Sequence, residues 1–160
     1  MITPTPASKG PAKGTKSQAR PAARLAAVQA LYQFDMEATR LVTLLDEFHR
    51  HRLGAEIEGL QFAEAEVAFF DDLVKGTLAR RDEIDTLLSS KLAEGWRLER
   101  LDKTMLQILR CGAYEIIARA DVPTGTAISE YVDVAHAFFE PREAKFVNGV
   151  LDAVAKATRG

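Results

Sequence analysis

Apolar side chains return every three or four positions along most of this chain, the spacing that places them on one face of an α-helix. From about position 17 the pattern is nearly unbroken. A first helix over roughly 17–36 carries Leu25, Val28, Tyr32 and Met36 on one arc, with alanines between them and Gln29 and Gln33 on the opposite side. A second, roughly 39–52, carries Leu41, Leu44, Leu45 and Phe48, and Gly54 and Gly59 loosen the link that follows. A third covers roughly 63–91 through Val67, Phe70, Val74, Leu78, Ile84 and Leu88, with a break expected near Gly76. The fourth, about 99–119, is the most apolar: Leu101, Met105, Ile108, Gly112 and Ile116 make one stripe, and Leu106, Arg110, Tyr114 and Ile117 a second. A helix apolar on two sides is central to a fold or offers one side to a partner. Glycine costs about 1 kcal/mol relative to alanine inside a helix, so Gly112 points to close approach by another helix. Pro123 stops the chain, and Thr124 or Thr126 offers a cap for a fifth helix to about His136. A sixth starts near Pro141 and runs to about Thr158, with Val147, Val150, Leu151 and Val154 on one face. No segment alternates as a half-buried strand does. The expected fold is all-α: six helices, or seven with the third divided, in a helical bundle.

Residues 1–16 lack this pattern. Pro4, Pro6, Pro11, Gly10 and Gly14 interrupt them and apolar side chains are scarce, so they are expected to form a disordered arm, leaving 17–160 as one domain. The arm changes the electrostatic picture. Lys9, Lys13, Lys16, Arg20 and Arg24 give the first 24 residues +5 with no acid, whereas the remainder carries 16 basic against 23 acidic residues, a net −7. A basic arm on a mildly acidic body suits a nucleic-acid binder, because Lys and Arg displace counterions from phosphates; a solubilising tail has the same composition. No apolar run approaches the ~20 residues of a membrane helix, no signal-peptide core is visible, and the lone Cys111 has no internal disulfide partner, which makes the cytoplasm the expected compartment.

Candidate chemistry is sparse. No glycine-rich phosphate loop, nucleophile elbow or cysteine–histidine metal spacing is present. His49 and His51, two apart, point in different directions on a helix, and the run His49, Arg50, His51, Arg52 reads as basic character at a helix C-terminus. His136 reads as a surface or boundary residue, and Cys111 as an inert thiol on an apolar helix. Asp71 and Asp72 diverge by about 100° and read as a solvated face or a bridge to Lys75 rather than an acid–base pair. No catalytic residue, metal or organic cofactor is expected.

Three stretches resemble one bacterial family. They are Arg24-Leu25-Ala26-Ala27-Val28-Gln29-Ala30-Leu31-Tyr32; Ile108-Leu109-Arg110-Cys111-Gly112-Ala113-Tyr114-Glu115-Ile116, followed by Asp121-Val122-Pro123 and Ala127-Ile128-Ser129-Glu130; and Lys145-Phe146-Val147-Asn148-Gly149-Val150-Leu151-Asp152. In order and distance they resemble the NusB family of transcription antitermination factors, over roughly 17–157. The resemblance implies two small helical bundles packed together. It further implies pairing with NusE, a small-subunit ribosomal protein, binding of boxA single-stranded RNA, and action with other Nus factors on RNA polymerase, notably in ribosomal RNA operons. The same helical module begins a family of ribosomal RNA cytosine methyltransferases, whose large catalytic domain has no room here; the free-standing factor is the expected match. A protein–protein adaptor and a detached regulatory domain of an RNA-modifying enzyme are the competing readings.

The resemblance also implies where RNA binds. Arg20 and Arg24 match the family's basic N-terminal patch, although Pro21, Ala22 and Ala23 stand where many relatives have more arginine, a loss that Lys13 and Lys16 in the arm are expected to offset. Guanidinium groups grip phosphate bidentately and stack on unpaired bases. Tyr32 divides between core and RNA rim. Lys145 and Phe146 offer a charge and a stacking ring; a core phenylalanine beside a solvated lysine is the alternative. Together Arg20, Arg24, Lys145 and Phe146 are expected to form one continuous RNA surface, and a double glutamate variant at Arg20 and Arg24 is expected to stay folded.

Overall fold

Seven α-helices and no strand are present among the described residues of the computed structural model: α1 (Pro4–Glu37), α2 (Leu41–Phe48), α3 (Glu64–Ala79), α4 (Arg81–Lys91), α5 (Lys103–Ala118), α6 (Thr124–Phe138) and α7 (Pro141–Thr158). The model describes residues 19–51 and 66–160 in full and the backbone alone of 4–18, 52–53 and 64–65. Residues 4–16 of the expected disordered arm are the start of α1, and their side chains, Lys16 included, lie outside the described residues, as do residues 1–3 altogether. One π-helical turn, His49–Leu53, continues α2, and a 3-10 turn, Leu98–Arg100, precedes α5.

Helix α5 is the centre of the fold. α1 and α3 pack on it from one side, with α2 against α1; α4, α6 and α7 pack on it from the other. The two groups share one hydrophobic core. The two apolar stripes of α5 are thus explained by two sets of partners, and its residues from Met105 to Ile116 are buried with the exception of the half-buried Arg110. Gly112 does what its cost in propensity implied: a Cβ there would come 2.8 Å from Leu151 Cδ1 of α7 and 3.2 Å from the Tyr131 ring of α6.

Helix α1 turns a different face inward from the one its large side chains mark. Ala19, Ala23, Ala26, Ala27 and Ala30 are buried, with Val28 and Leu31. At 100° per residue Leu25, Tyr32 and Met36 lie about half a turn from the line of Ala23, Ala27 and Ala30, and Tyr32 and Met36 are exposed. Small side chains let α3 and α5 approach α1 closely, so the alanines pack and the larger groups stay outside. α1 stops at Glu37 because Ala38 adopts a left-handed conformation (φ 55°).

The other helix ends have local causes. The α3–α4 break falls at Arg80, not Gly76, which instead receives the Tyr114 ring of α5. Asp102 caps α5, accepting from the Thr104 and Met105 amides at 2.8 and 3.2 Å. Pro123 occupies the cap of α6, so neither Thr124 nor Thr126 serves that role, and Pro141 begins α7. Arg159 closes the far end: its guanidinium donates to the carbonyls of Ile116, Arg119 and Val122 at 2.8 Å each and to Thr124 Oγ1 at 2.9 Å. It thereby satisfies acceptors that the end of α5 leaves open.

Two glycines separate packing from propensity. Gly149 has open space around its Cβ position, contrary to a role in close helix packing. Gly76→Ala is expected to destabilise by about 1–3 kcal/mol through overpacking against Tyr114, and Gly149→Ala to stabilise by up to about 1 kcal/mol. Urea unfolding of the two variants measures both signs.

Candidate nucleic-acid interface

The basic segment of α1 lies beside the C-terminal end of α5. Arg20 rests over the Phe69 ring of α3, 4.2 Å from its centroid, and lies 3.6 Å from Glu66. Arg119 approaches the same ring at 5.1 Å and is held by Asp72 at 3.2 Å and Asp121 at 3.1 Å. The Arg119 contact holds the Asp121 carboxyl below its ordinary value.

Arg24 is placed inside, not on the expected RNA surface. It is 3% exposed. Its Nε donates to Glu115 Oε1 at 3.0 Å, its Nη2 to Glu115 Oε2 at 2.6 Å, and its Nη1 to Glu130 at 3.1 Å. Tyr131 Oη donates to Glu115 at 2.7 Å, and Cys111 Sγ lies 3.3 Å from the same hydroxyl. Burial opposes the charge on Arg24, but the hydrogen bonds and charge of Glu115 outweigh it and hold the guanidinium above its ordinary value. A glutamate at position 24 would face Glu115 in the core, so the double glutamate variant is expected to lose stability rather than to report on RNA contact alone.

The other predicted residues gather at the opposite end of α5. Phe146 of α7 is half-buried, with its ring stacked on Trp96 at 5.5 Å and 28°. Lys145 beside it is exposed. Phe146, Trp96, Arg100, Met105, Phe139 and Arg142 contribute to the lining of a cleft of about 410 Å³. Tyr32, 39% exposed, lines a neighbouring groove with Gln29, Gln33, Thr104 and Phe138. Arg20 borders Asp121 and Val122, and Phe146 borders Leu101 and Met105. A helix rises 1.5 Å per residue, so α5 alone separates these sites by roughly 20 Å. The structure brings Tyr32, Lys145 and Phe146 toward one end and leaves Arg20 at the other, so a continuous surface through Arg20, Lys145 and Phe146 would run the length of α5, and the buried Arg24 has no part in it.

Trp96 lies in the link between α4 and α5, outside the helical pattern. It is 57% exposed. Its signal was available as a large aromatic in a glycine-marked loop, but nothing local tied it to Phe146, fifty residues away. The candidate chemistry resolves differently. Asp71 pairs with His49 Nε2 at 2.6 Å, while Asp72 accepts from Tyr114 Oη at 2.7 Å, so the two diverge and neither bridges to Lys75. Cys111 is enclosed, and burial pushes its thiol up to about 12. Among the described residues no cluster of three His, Cys, Asp or Glu side chains is placed to hold a metal, and no helix is long and apolar enough to cross a membrane.

A buried ion pair at the helix junctions, with rings and cations on an open face, defines an all-helical binding protein. The chain belongs to the NusB family, which it matches over residues 21–156. A relative from Novosphingobium aromaticivorans, named transcription antitermination protein NusB, is 75% identical over 89% of this chain and 96% of its own length. A relative of the same name from Sphingopyxis alaskensis is 62% identical over 90% and 97%. Among solved structures, T. maritima NusB is similar with a TM-score of 0.72 and 28% identity, over 86% of this chain and 90% of its own. A chain from a crystal structure of antitermination factors NusB and NusE in complex with dsRNA gives 0.74 and 26%, over 88% and 98%.

Removing one partner of a buried ion pair leaves the other unpaired, at a cost of about 3–5 kcal/mol. Arg24→Ala is expected to lose that much stability in urea unfolding, whereas Arg20→Ala, with its half-exposed pair, is expected to change by less than about 1 kcal/mol. A pH series gives a second test. The folded Cys111 thiol keeps its proton up to about 12 while an ordinary thiol loses it near 9.0. Its contribution is complete below pH 9 and is lost as the pH rises toward 12. Stability is expected to fall across that window, and Cys111→Ala to make the fall shallower.

Proposed function

We propose that this chain is a transcription antitermination factor that binds boxA RNA together with NusE and acts with other Nus factors on RNA polymerase, notably in ribosomal RNA operons. The likeness to the NusB chain solved with NusE and RNA carries this reading, and the 75% identity to an antitermination protein supports it. The RNA in that neighbouring structure is double-stranded. The rings here favour unpaired bases, whose faces are free to stack, over a duplex, whose faces are covered.

Within this reading Lys145 and Arg20 contact phosphates, Phe146 stacks on a base, Tyr32 forms part of the rim, and Lys16 adds charge from the arm. Arg24 positions rather than binds: it fixes α1 against α5 and α6 and so sets where Arg20 stands. The protein has no catalytic role of its own and works in the cytoplasm. Its one thiol is enclosed and protonated, and its adjacent carboxylates Asp71 and Asp72 serve different structural partners.

An RNA shift assay with boxA-type single strands, with and without NusE and across a salt series, tests the proposal. Affinity is expected to be modest alone and tighter with NusE; equal affinity in the presence of a NusE that demonstrably associates counts against it. Lys145→Ala is expected to flatten the slope of log affinity against log salt by about 0.7 per lost phosphate contact. Phe146→Ala is expected to cost about 1–3 kcal/mol of RNA affinity with the salt slope unchanged. RNA binding indistinguishable from zero would favour the protein–protein adaptor.

A further inference from the structure

We propose that Trp96, in the link between α4 and α5, is a second base-stacking platform that extends the Phe146 seat and holds an unpaired nucleobase of the bound RNA. The proposal rests on the RNA-binding reading above. Three observations carry it. The indole is the chain's one tryptophan and is 57% exposed. It is nonetheless held in place, stacked on Phe146 at 5.5 Å and 28°, and Phe146 in turn packs against the core. The second face of the indole is therefore presented from a fixed position, and every base has a π-face that such a ring accepts.

The charges around it fit the same occupant. At the Arg20 end, Arg20 is paired with Glu66, Arg24 with Glu115 and Glu130, and Arg119 with Asp72 and Asp121, while Arg159 is engaged by carbonyl and hydroxyl oxygens. Around the Trp96–Phe146 pair the balance differs. Arg100 borders the cleft and Lys145 adjoins Phe146 in α7, and among the described residues neither has a carboxylate within 4.0 Å. Of the acidic side chains on the cleft, Asp102 caps α5, and Glu143 lies 3.5 Å from the solvent-exposed Arg142 through Oε2 while its Oε1 is buried without a hydrogen-bond partner. A stacked aromatic pair with unmatched cations at its edge matches a base and its flanking phosphates: the rings take the apolar faces and the cations the backbone. A protein surface that used only the indole would leave those cations unanswered.

Because Trp96 is the sole indole, the intact protein reports on its own contact. Titration with a boxA-type single-stranded RNA, in the presence of NusE, is expected to quench Trp96 emission along the same curve as the shift assay. Trp96→Ala is expected to weaken RNA binding by about 5- to 150-fold with an unchanged salt slope, and Trp96→Phe to recover most of the loss. Thermal unfolding is expected to be unaffected in both, since the indole is mostly outside the core. Wild-type RNA affinity in a folded Trp96→Ala variant overturns the platform while leaving the RNA-binding reading intact. Loss of NusE pairing with RNA affinity retained assigns the indole to a protein contact and also overturns it. A wild-type protein that binds no RNA with NusE present removes both.

Discussion

The contact between Arg24 and Glu115 holds the architecture together. It joins residues 91 apart in sequence, and through Glu130 and Tyr131 it adds a third helix to the same knot. Two charges removed from water cost several kcal/mol each, and their attraction offsets that only with good geometry and further hydrogen bonds. Both conditions are met: the carboxylate takes the guanidinium on both oxygens and the phenol on one of them. The pair therefore specifies how α1 sits on α5 more than it adds raw stability. A shift of one helix by a turn would leave an unpaired charge in the core.

This arrangement divides the labour along α5. At its C-terminal end, cations from α1 and α5 meet carboxylates from α3, α5 and α6, with Phe69 filling the space between the guanidinium groups. At its N-terminal end the charges are looser and the rings are larger and more exposed. One end holds helices together through paired charges, and the other leaves Trp96 and Tyr32 open to solvent. The alanine face of α1 contributes to both: by packing inward it leaves Tyr32 on the outer arc, near the open end.

Much of this was legible in the sequence. Helical periodicity marked α5, α6 and α7 to within a few residues, and the two stripes on α5 announced a central helix. The closeness required at Gly112 followed from its cost in propensity. What the sequence hid was partnership across distance. Arg24 read as one more member of a basic run, because the carboxylate that neutralises it lies on another helix. Arg20, four residues earlier, carries the same charge and differs only by facing a half-open edge. The inward face of α1 was misplaced for a related reason: periodicity weights large side chains, whereas the contact selected small ones. Trp96 was invisible as a functional residue because its meaning depends on Phe146. The family resemblance pointed to Phe146, which the structure stacks on Trp96, and to Lys145 beside it, but could not separate an arginine at a half-open edge from one that braces the core.

Arg159 gives the fold an order in time. The three carbonyls it satisfies lie at the α5–α6 junction, 37 to 43 residues earlier in the chain. During synthesis that junction leaves the ribosome with its acceptors turned to water, and they are enclosed only once position 159 has followed. Glu115 likewise reaches Arg24 long after α1 has been made. α1 and α3 pack on one another directly, but Arg24 has no partner until Glu115 of α5 has been made, and the corner between α5 and α6 gains its cap only with position 159. A domain generally folds as a unit, and here the long-range contacts that join α1 to α5 and close the α5–α6 corner make that unit the whole set of helices rather than the N-terminal three.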